Sequence, residues 1–356
     1  MKKALKNKKY LYNIHGISAA YIHVSDVCNF KCKICNLPIE KKGGFVPLKD
    51  MKKNIKIAIK LNLKNLIFTG QEVILHPNFE EICRFAFEEA GANYITFNTN
   101  GLAFYNKKII KSVKNLEKYA NKIYYAISCN FYDKKTFSTW SGHNESVFYN
   151  WVEGVENFLK LKNKLSVDII LKKDVNIFKI LKFIENFSRP ASQDIDIRIL
   201  DLMPFGYTKG EVFKRLKYNL VERSENISKI KNYYSGLLSF ESFPFCSFNQ
   251  SDLKRNKYFM YNFYLLFDGQ TPIQYDPNIY ETSYNGKTEN WLIDTRKLRQ
   301  SYNNMFSYVE ECSDCHYRGQ CYGIEREYIK ARGLKKISKE IKILKKKNWN
   351  LDSVNK

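Results

Sequence analysis

Six short runs rich in β-branched and aromatic residues, each separated from the next by a helical pattern, restrict this chain to few folds. The runs are Ala19 to Val27, Asn65 to Gly70, Tyr94 to Asn98, Lys122 to Ser128, Leu165 to Leu171 and Asp194 to Leu202. Between them Leu48 to Leu61, Phe79 to Ala90, Lys107 to Tyr119, Ser146 to Leu161 and Asn176 to Phe187 repeat apolar residues at three- and four-residue spacing, as Val147, Trp151, Val155, Phe158 and Leu159 do. Such alternation predicts an α/β fold with a parallel sheet, curved into a barrel or open and doubly wound; in either case ligands bind at the C-terminal ends of the strands. After Pro204-Phe205-Gly206 the alternation stops. Gly210 to Leu237 reads as helical and connective, and Cys246 to Gly323 as loop-rich, with a hairpin expected over Tyr258 to Phe267 turning at Asp268-Gly269. Too few apolar residues are arranged there for an independent core, so a bound metal centre is expected to supply the missing stability.

The 356 residues are 44% hydrophobic, a globular composition that excludes disorder for most of the chain. At about 150 residues per domain this length suits two domains, or one barrel with an extension. The longest uncharged, strongly apolar stretch is Tyr258 to Phe267, far short of the roughly 18 residues that span a bilayer. Met1 to Tyr10 is basic but lacks the apolar segment of an export signal, so a cytoplasmic location is expected. The net charge of +23 invites a nucleic-acid reading. The excess is mostly lysine spread along the chain, however. Only Lys335 to Lys347 is dense, and it sets Ile337, Ile341 and Leu344 at helical spacing, the pattern of a solvated amphipathic terminal helix.

The nine cysteines fall unevenly. Without a secretory signal a disulfide framework is not expected, and the tight sets Cys28/Cys32/Cys35 and Cys312/Cys315/Cys321 read as metal or cluster ligands. Cys83 lies in a helical pattern and Cys129 follows a strand, so both are read as small buried hydrophobes. His15, His23, His143 and His316 have no partner legible in the sequence and are read as structural. The first triplet lies directly after strand one, where ligands are expected. Three closely spaced thiolates can hold three irons of a cubane and leave the fourth open for chemistry; a zinc site completed by a distant residue is the alternative.

Cys28-Asn29-Phe30-Lys31-Cys32-Lys33-Ile34-Cys35 resembles the CxxxCxxC loop of the radical S-adenosylmethionine (radical SAM) superfamily, and other positions agree in order. Phe68-Thr69-Gly70-Gln71-Glu72-Val73-Ile74-Leu75-His76-Pro77 is similar to that family's Gly-Gly-Glu-Pro segment, with Gly70 and Glu72 matching and Gln71 and Val73 departing. Thr99-Asn100-Gly101, Ser128 and Leu202-Met203-Pro204 are similar to its later signatures. The resemblance covers about residues 19–206 and implies a partial (β/α)6 barrel holding a 4Fe-4S cluster and SAM. It implies that Glu72 and the backbone around Gly70 and Gln71 receive the methionyl ammonium. It likewise implies that Asn100 contacts SAM, that Ser128 reaches the ligand's polar groups and that the Leu202-Met203 backbone flanks the adenine. Many relatives carry Arg-Gly where this chain has Ser141-Gly142, which leaves the partner of the SAM carboxylate open. In the family, reductive cleavage of SAM yields a 5'-deoxyadenosyl radical that abstracts hydrogen from a substrate carbon.

Cys312-Ser-Asp-Cys315, Cys321 and the upstream Cys246 supply four more thiolates, enough for a closed 4Fe-4S cluster or a tetrahedral zinc. Their spacing resembles the SPASM and twitch extensions of radical SAM enzymes. Where a full SPASM domain has further cysteines this chain has residues such as Gln274 or Tyr275, and Glu325, so one auxiliary cluster is the expected count. The resulting organisation is a basic segment 1–18, a radical SAM core 19–215, a helical connection 216–245, a small loop-rich cluster domain 246–330 and a basic tail 331–356. An oxidoreductase modifying a peptide or protein is the leading functional expectation, with a flavodoxin or ferredoxin as electron donor. Only eighteen residues precede the first strand, so any leader peptide is expected to be presented by a separate recognition protein or not used. Dehydrogenation, epimerisation or dehydration of a sugar or other small molecule, RNA or nucleoside modification, and a zinc-stabilised basic binding protein are the competing readings.

Overall fold

The structure is a computed structural model that describes residues 19–35, 44–60, 63–191, 195–204, 206–234, 238–249, 280–282, 292–293, 306–315, 318, 321 and 323–348. The expected hairpin over Tyr258 to Phe267, Gln274, Tyr275, His15, His316, and the segments 1–18 and 349–356 lie outside the described residues.

Strands β1 (Ala19–Ser25), β2 (Asn65–Gly70), β3 (Tyr94–Thr99), β4 (Ile123–Ser128), β5 (Lys164–Leu171) and β6 (Asp196–Asp201) pair in parallel, each with the next in sequence. This order decides between the two parallel architectures. A doubly wound sheet reverses its strand order once to place helices on both faces, whereas an unreversed order with right-handed crossovers puts every helix on one face and curves the sheet. The chain therefore builds a partial barrel. A seventh parallel strand, β7 (Leu238–Glu241), extends it beyond β6, and β8 (Tyr280–Thr282) pairs in parallel with β1 at the other edge, followed by the antiparallel β9 (Leu292–Ile293). The connection 216–245 thus contains a sheet strand as well as helices.

The crossover helices are α1 (Leu48–Lys60), α2 (Phe79–Arg84, continued as a π turn to Glu89), α3 (Lys107–Asn115), α4 (Lys134–Ser141), α5 (Val147–Leu159) and α6 (Ile177–Ala191). Phe97 packs on Phe79 of α2 with ring centroids 5.0 Å apart, and Tyr125 on Phe158 of α5 at 4.9 Å. Strand alternation then turns Thr96, Asn98, Ser128, Asp168 and Arg198 to the opposite, concave face. Helix α4 is absent from the sequence reading although it carries a capping box, in which Asp133 accepts from the Thr136 N–H at 2.7 Å, and it ends on the left-handed Gly142.

Helices α7 (Glu211–Leu216) and α8 (Leu220–Tyr233) follow the barrel; a short antiparallel pair, β10 (Phe306–Ser307) and β11 (Ile324–Glu325), precedes α9 (Arg326–Arg332) and α10 (Leu334–Asn348). The lysine-rich α10 is amphipathic, but its apolar stripe is not solvated. Ile337, Ile341 and Leu344 are fully buried against α8 and the cysteine turns, and Glu340 accepts from the Leu220 N–H at 3.2 Å and from the Tyr328 hydroxyl at 2.7 Å. Deletion of residues 334–356 is therefore expected to lower unfolding free energy by about 5 kcal/mol, from three buried aliphatic side chains alone. Serine at the exposed Lys335, Lys339 and Lys346 should change it by less than about 0.5 kcal/mol. Urea unfolding of both variants checks this.

Candidate active site

Three strand ends and the turn after α4 meet around the first cysteine triplet. β1 stops at Ser25, whose hydroxyl oxygen accepts from the Val27 N–H at 2.9 Å and turns the chain toward Cys28. The end of β2 zips onto this turn: the Gln71 N–H donates to the Ser25 carbonyl at 2.8 Å and the Glu72 N–H to that of Val27 at 3.0 Å. Gly70 permits the approach. Its φ is +124°, and a Cβ there would stand 2.5 Å from the Ser25 oxygen. Asn100 fastens the third strand end: its Nδ2 donates to Asn29 Oδ1 at 2.6 Å and lies 3.6 Å from Cys28 Sγ, while its carbonyl accepts from Trp151 Nε1 at 2.7 Å.

Glu72 is fully buried, accepting from Thr99 Oγ1 at 2.5 Å and the Asn100 N–H at 2.7 Å. Burial pushes its carboxyl up to about 7 against the opposing pull of these hydrogen bonds. Between its ordinary value of 4.5 and about 7 the native carboxyl keeps a proton that the unfolded chain has released. Stability from this group is thus greatest below pH 4.5 and falls as pH rises through the window, by about 3 kcal/mol in all. The difference in unfolding free energy between wild type and Glu72→Gln, followed from pH 4 to 8, should trace this fall; a flat difference would refute it.

Cys28, Cys32 and Cys35 are partly exposed at the rim of the site. Burial, then the Glu72 carboxylate, pushes the Cys28 thiol up to about 12, and burial followed by the neighbouring thiols raises Cys32. Adjacent thiols, two of which resist ionisation until a cation joins them, suit an iron cluster. The Phe30 N–H, 3.3 Å from Cys28 Sγ, supplies the kind of donor that bound sulfur accepts. Two buried polar atoms at this end of the sheet, Gln71 Oε1 and Asn98 Oδ1, have no hydrogen-bond partner among the described residues, a vacancy that fits a polar ligand.

Ser128 ends β4 opposite Asp168 in register. Leu202 and Met203 are buried, and their carbonyls accept from Lys217 Nζ and Thr208 Oγ1, each at 2.6 Å. Each carbonyl oxygen keeps a second lone pair, so this backbone can still accept another donor. Of the other cysteines, Cys83 and Cys129 are buried, as read from the sequence. His76 bonds the Val46 carbonyl at 2.8 Å, and His23 pairs with Asp26 at 2.8 Å.

Sequence reasoning missed the charges on the concave face. Arg198 donates to both oxygens of Asp168, at 2.8 and 2.5 Å, with Glu241 3.6 Å away. Lys172, just past β5 and buried beneath solvent, pairs with Asp174 and lies 5.2 Å from the Trp140 ring centroid; burial lowers its pKa. The signal was present: a charge at an alternate position of an apolar strand, as in Val167-Asp168-Ile169 and Ile197-Arg198-Ile199, marks an inward polar face.

The second cysteine group converges. Cys246, Cys312, Cys315 and Cys321 line one small cavity with Phe245 and Ile341. Cys321 Sγ accepts from the Gly323 N–H at 3.3 Å and the Phe245 N–H at 3.5 Å. Burial, then the neighbouring thiols Cys321 and Cys312, raises Cys246 well above the thiol range. Glu325 stands in no cysteine's place idly: its carboxylate lies 2.6 Å from Lys217 and 3.2 Å from Arg223 in a buried ion network.

A concave parallel sheet thus carries a three-thiol loop at the end of its first strand. Residues 22–186 match the Radical SAM superfamily, and the chain carries a domain of that superfamily, which implies a 4Fe-4S cluster and SAM. It is 26% identical over 247 residues to a GTP 3',8-cyclase of Helicobacter pylori (strain ATCC 700392 / 26695), covering 63% of this chain and 73% of that protein. It is 23% identical over 228 residues to a GTP 3',8-cyclase of Staphylococcus haemolyticus (strain JCSC1435), covering 60% of this chain and 61% of the relative's length. In fold it is similar to Streptococcus suis SuiB bound to S-adenosylmethionine, with TM-score 0.59 and 17% identity over 93% of this chain and 78% of that one. SuiB bound to precursor peptide SuiA matches with TM-score 0.60 and 16% identity over 93% and 77%. Among the described residues no helix is long and apolar enough to cross a membrane.

Proposed function

We propose that this chain is a radical SAM oxidoreductase that takes hydrogen from a carbon of a peptide or protein, with one closed auxiliary 4Fe-4S cluster on Cys246, Cys312, Cys315 and Cys321. The observation that carries the reading is the convergence of those four thiols on one cavity. Four ligands close a site, which then suits electron transfer and not substrate ligation.

The core 19–215 would bind SAM through Glu72 and the backbone of Gly70 and Gln71, with Asn100 and Ser128 on its polar groups and Leu202 and Met203 packed on the adenine. A flavodoxin or ferredoxin in the cytoplasm would supply electrons. When bound, SAM and the clusters supply one-electron bond cleavage, hydrogen abstraction and electron uptake; the residues named here hold, orient and shield. The likeness in fold to SuiB bound to precursor peptide SuiA supports peptide chemistry. The relatives named GTP 3',8-cyclase favour a nucleotide as the second reading. Against it, the concave-face cations Arg198 and Lys172 are already engaged by Asp168, Glu241 and Asp174, which leaves neither of these two unpaired for a triphosphate.

Anaerobic turnover with SAM and dithionite tests this. Deuterium should enter 5'-deoxyadenosine from a uniformly deuterated cellular peptide pool. Transfer from deuterated GTP, sugars or RNA instead would overturn the peptide reading.

A further inference from the structure

We propose that His143 is a positioning residue for the cysteine loop, acting through the Asn29 carbonyl; this rests on the radical SAM reading of that loop. His143 Nε2 bonds the Asn29 carbonyl oxygen, and because a carbonyl only accepts, Nε2 carries the proton. The residues on either side of this contact form one seat. The Lys31 N–H donates to the Ser141 carbonyl at 2.7 Å. At Gly142, where φ is +74°, a Cβ would stand 2.9 Å from Lys31 Cβ and 3.1 Å from its carbonyl oxygen, so the loop lies directly on the end of α4. Phe30 is buried between Phe137 and His143, with ring centroids 5.7 and 5.5 Å away.

Two of the four peptide units between Cys28 and Cys32 are thereby held from the α4 side, while Asn100 holds the Asn29 side chain from the β3 side. These two grips meet at Asn29. Its carbonyl goes to His143 and its side chain to the same Asn100 amide that lies 3.6 Å from Cys28 Sγ. Release of the carbonyl lets the Asn29 peptide rotate, and that rotation shifts Asn100 and the donors around Cys28. The helix cap is thus coupled to the sulfur that opens the cluster loop. A role confined to packing would need only the ring of His143; the carbonyl contact needs its N–H donor.

His143→Ala and His143→Gln test this, the glutamine amide being a donor of comparable reach. In the reconstituted protein His143→Ala should release its first four irons to a chelator about tenfold faster, and raise KM for SAM in uncoupled 5'-deoxyadenosine formation by a similar factor, the loss of one buried hydrogen bond. It should also alter the electron paramagnetic resonance change that SAM induces in the reduced cluster, and His143→Gln should bring all three back toward wild type. An alanine variant with wild-type release, KM and spectrum would overturn the proposal. So would a glutamine variant as impaired as alanine, which would make the ring's packing the whole effect. Wild-type protein that binds no iron would instead refute the radical SAM reading beneath it.

Discussion

Arg223→Met is expected to cost about 3 to 5 kcal/mol of unfolding free energy, the usual penalty for removing one partner from a buried ion network. The side chains of Arg223, Lys217, Asp201 and Glu325 are each no more than 1% exposed. Lys217 lies 2.6 Å from both carboxylates, and Arg223 lies 2.6 Å from Asp201 and 3.2 Å from Glu325. Two cations balance two anions. Burial works against the Glu325 carboxylate, yet Arg223 and Lys217 together hold it down to about 2. Its stability contribution is therefore present above its ordinary value of 4.5 and lost only as pH falls through about 2.

Methionine at position 223 would leave one ammonium facing two buried carboxylates, and would remove the guanidinium stacked 4.8 Å from the Tyr328 ring centroid. The network joins the end of β6 to β11, so its loss should loosen the cysteine region from the barrel first. Adding Glu325→Leu restores charge balance between Lys217 and Asp201, and the double variant should be less destabilised than Arg223→Met alone. Urea unfolding of both single variants and the double forms the cycle. Additive costs would mean the four groups do not act as one network.

Why this network escaped the sequence is instructive beside what did not. β2 was legible to the residue because Asn65 and Gly70 bound a continuous apolar run with its own punctuation. The cysteine loop was legible because its ligand spacing is local. Glu325 was noticed only as a cysteine's absence, since its partners are separated from it by more than a hundred residues and meet it only through the fold. The same holds for Asp168 and Arg198, whose pairing follows from the β5–β6 register. β7 has four residues and no alternation of its own, so its strand state comes from pairing with β6. His143 was set aside as having no partner, and its partner is a backbone carbonyl, which no side-chain pattern encodes.

The cysteine variants carry the largest functional effect expected. The reconstituted protein should hold about eight irons, and Cys32→Ala and Cys315→Ala should each remove about four. The two losses should differ in consequence. Cys32 belongs to the triplet whose open position is where SAM would bind, so its alanine variant should form no 5'-deoxyadenosine with dithionite and SAM. Cys315 belongs to the closed group behind Phe245 and Ile341, so its variant should still cleave SAM while failing to turn over substrate. Cys246, Cys315 and Cys321 pack partly buried against the core, and a centre held by them would tie together segments far apart in the sequence, whereas Cys28 to Cys35 is one local loop, so loss of Cys315 should lower the unfolding midpoint more than loss of Cys32. About four irons and one zinc, with cleavage retained, would make the C-terminal centre structural. A colourless protein that leaves SAM intact would refute the enzyme reading altogether.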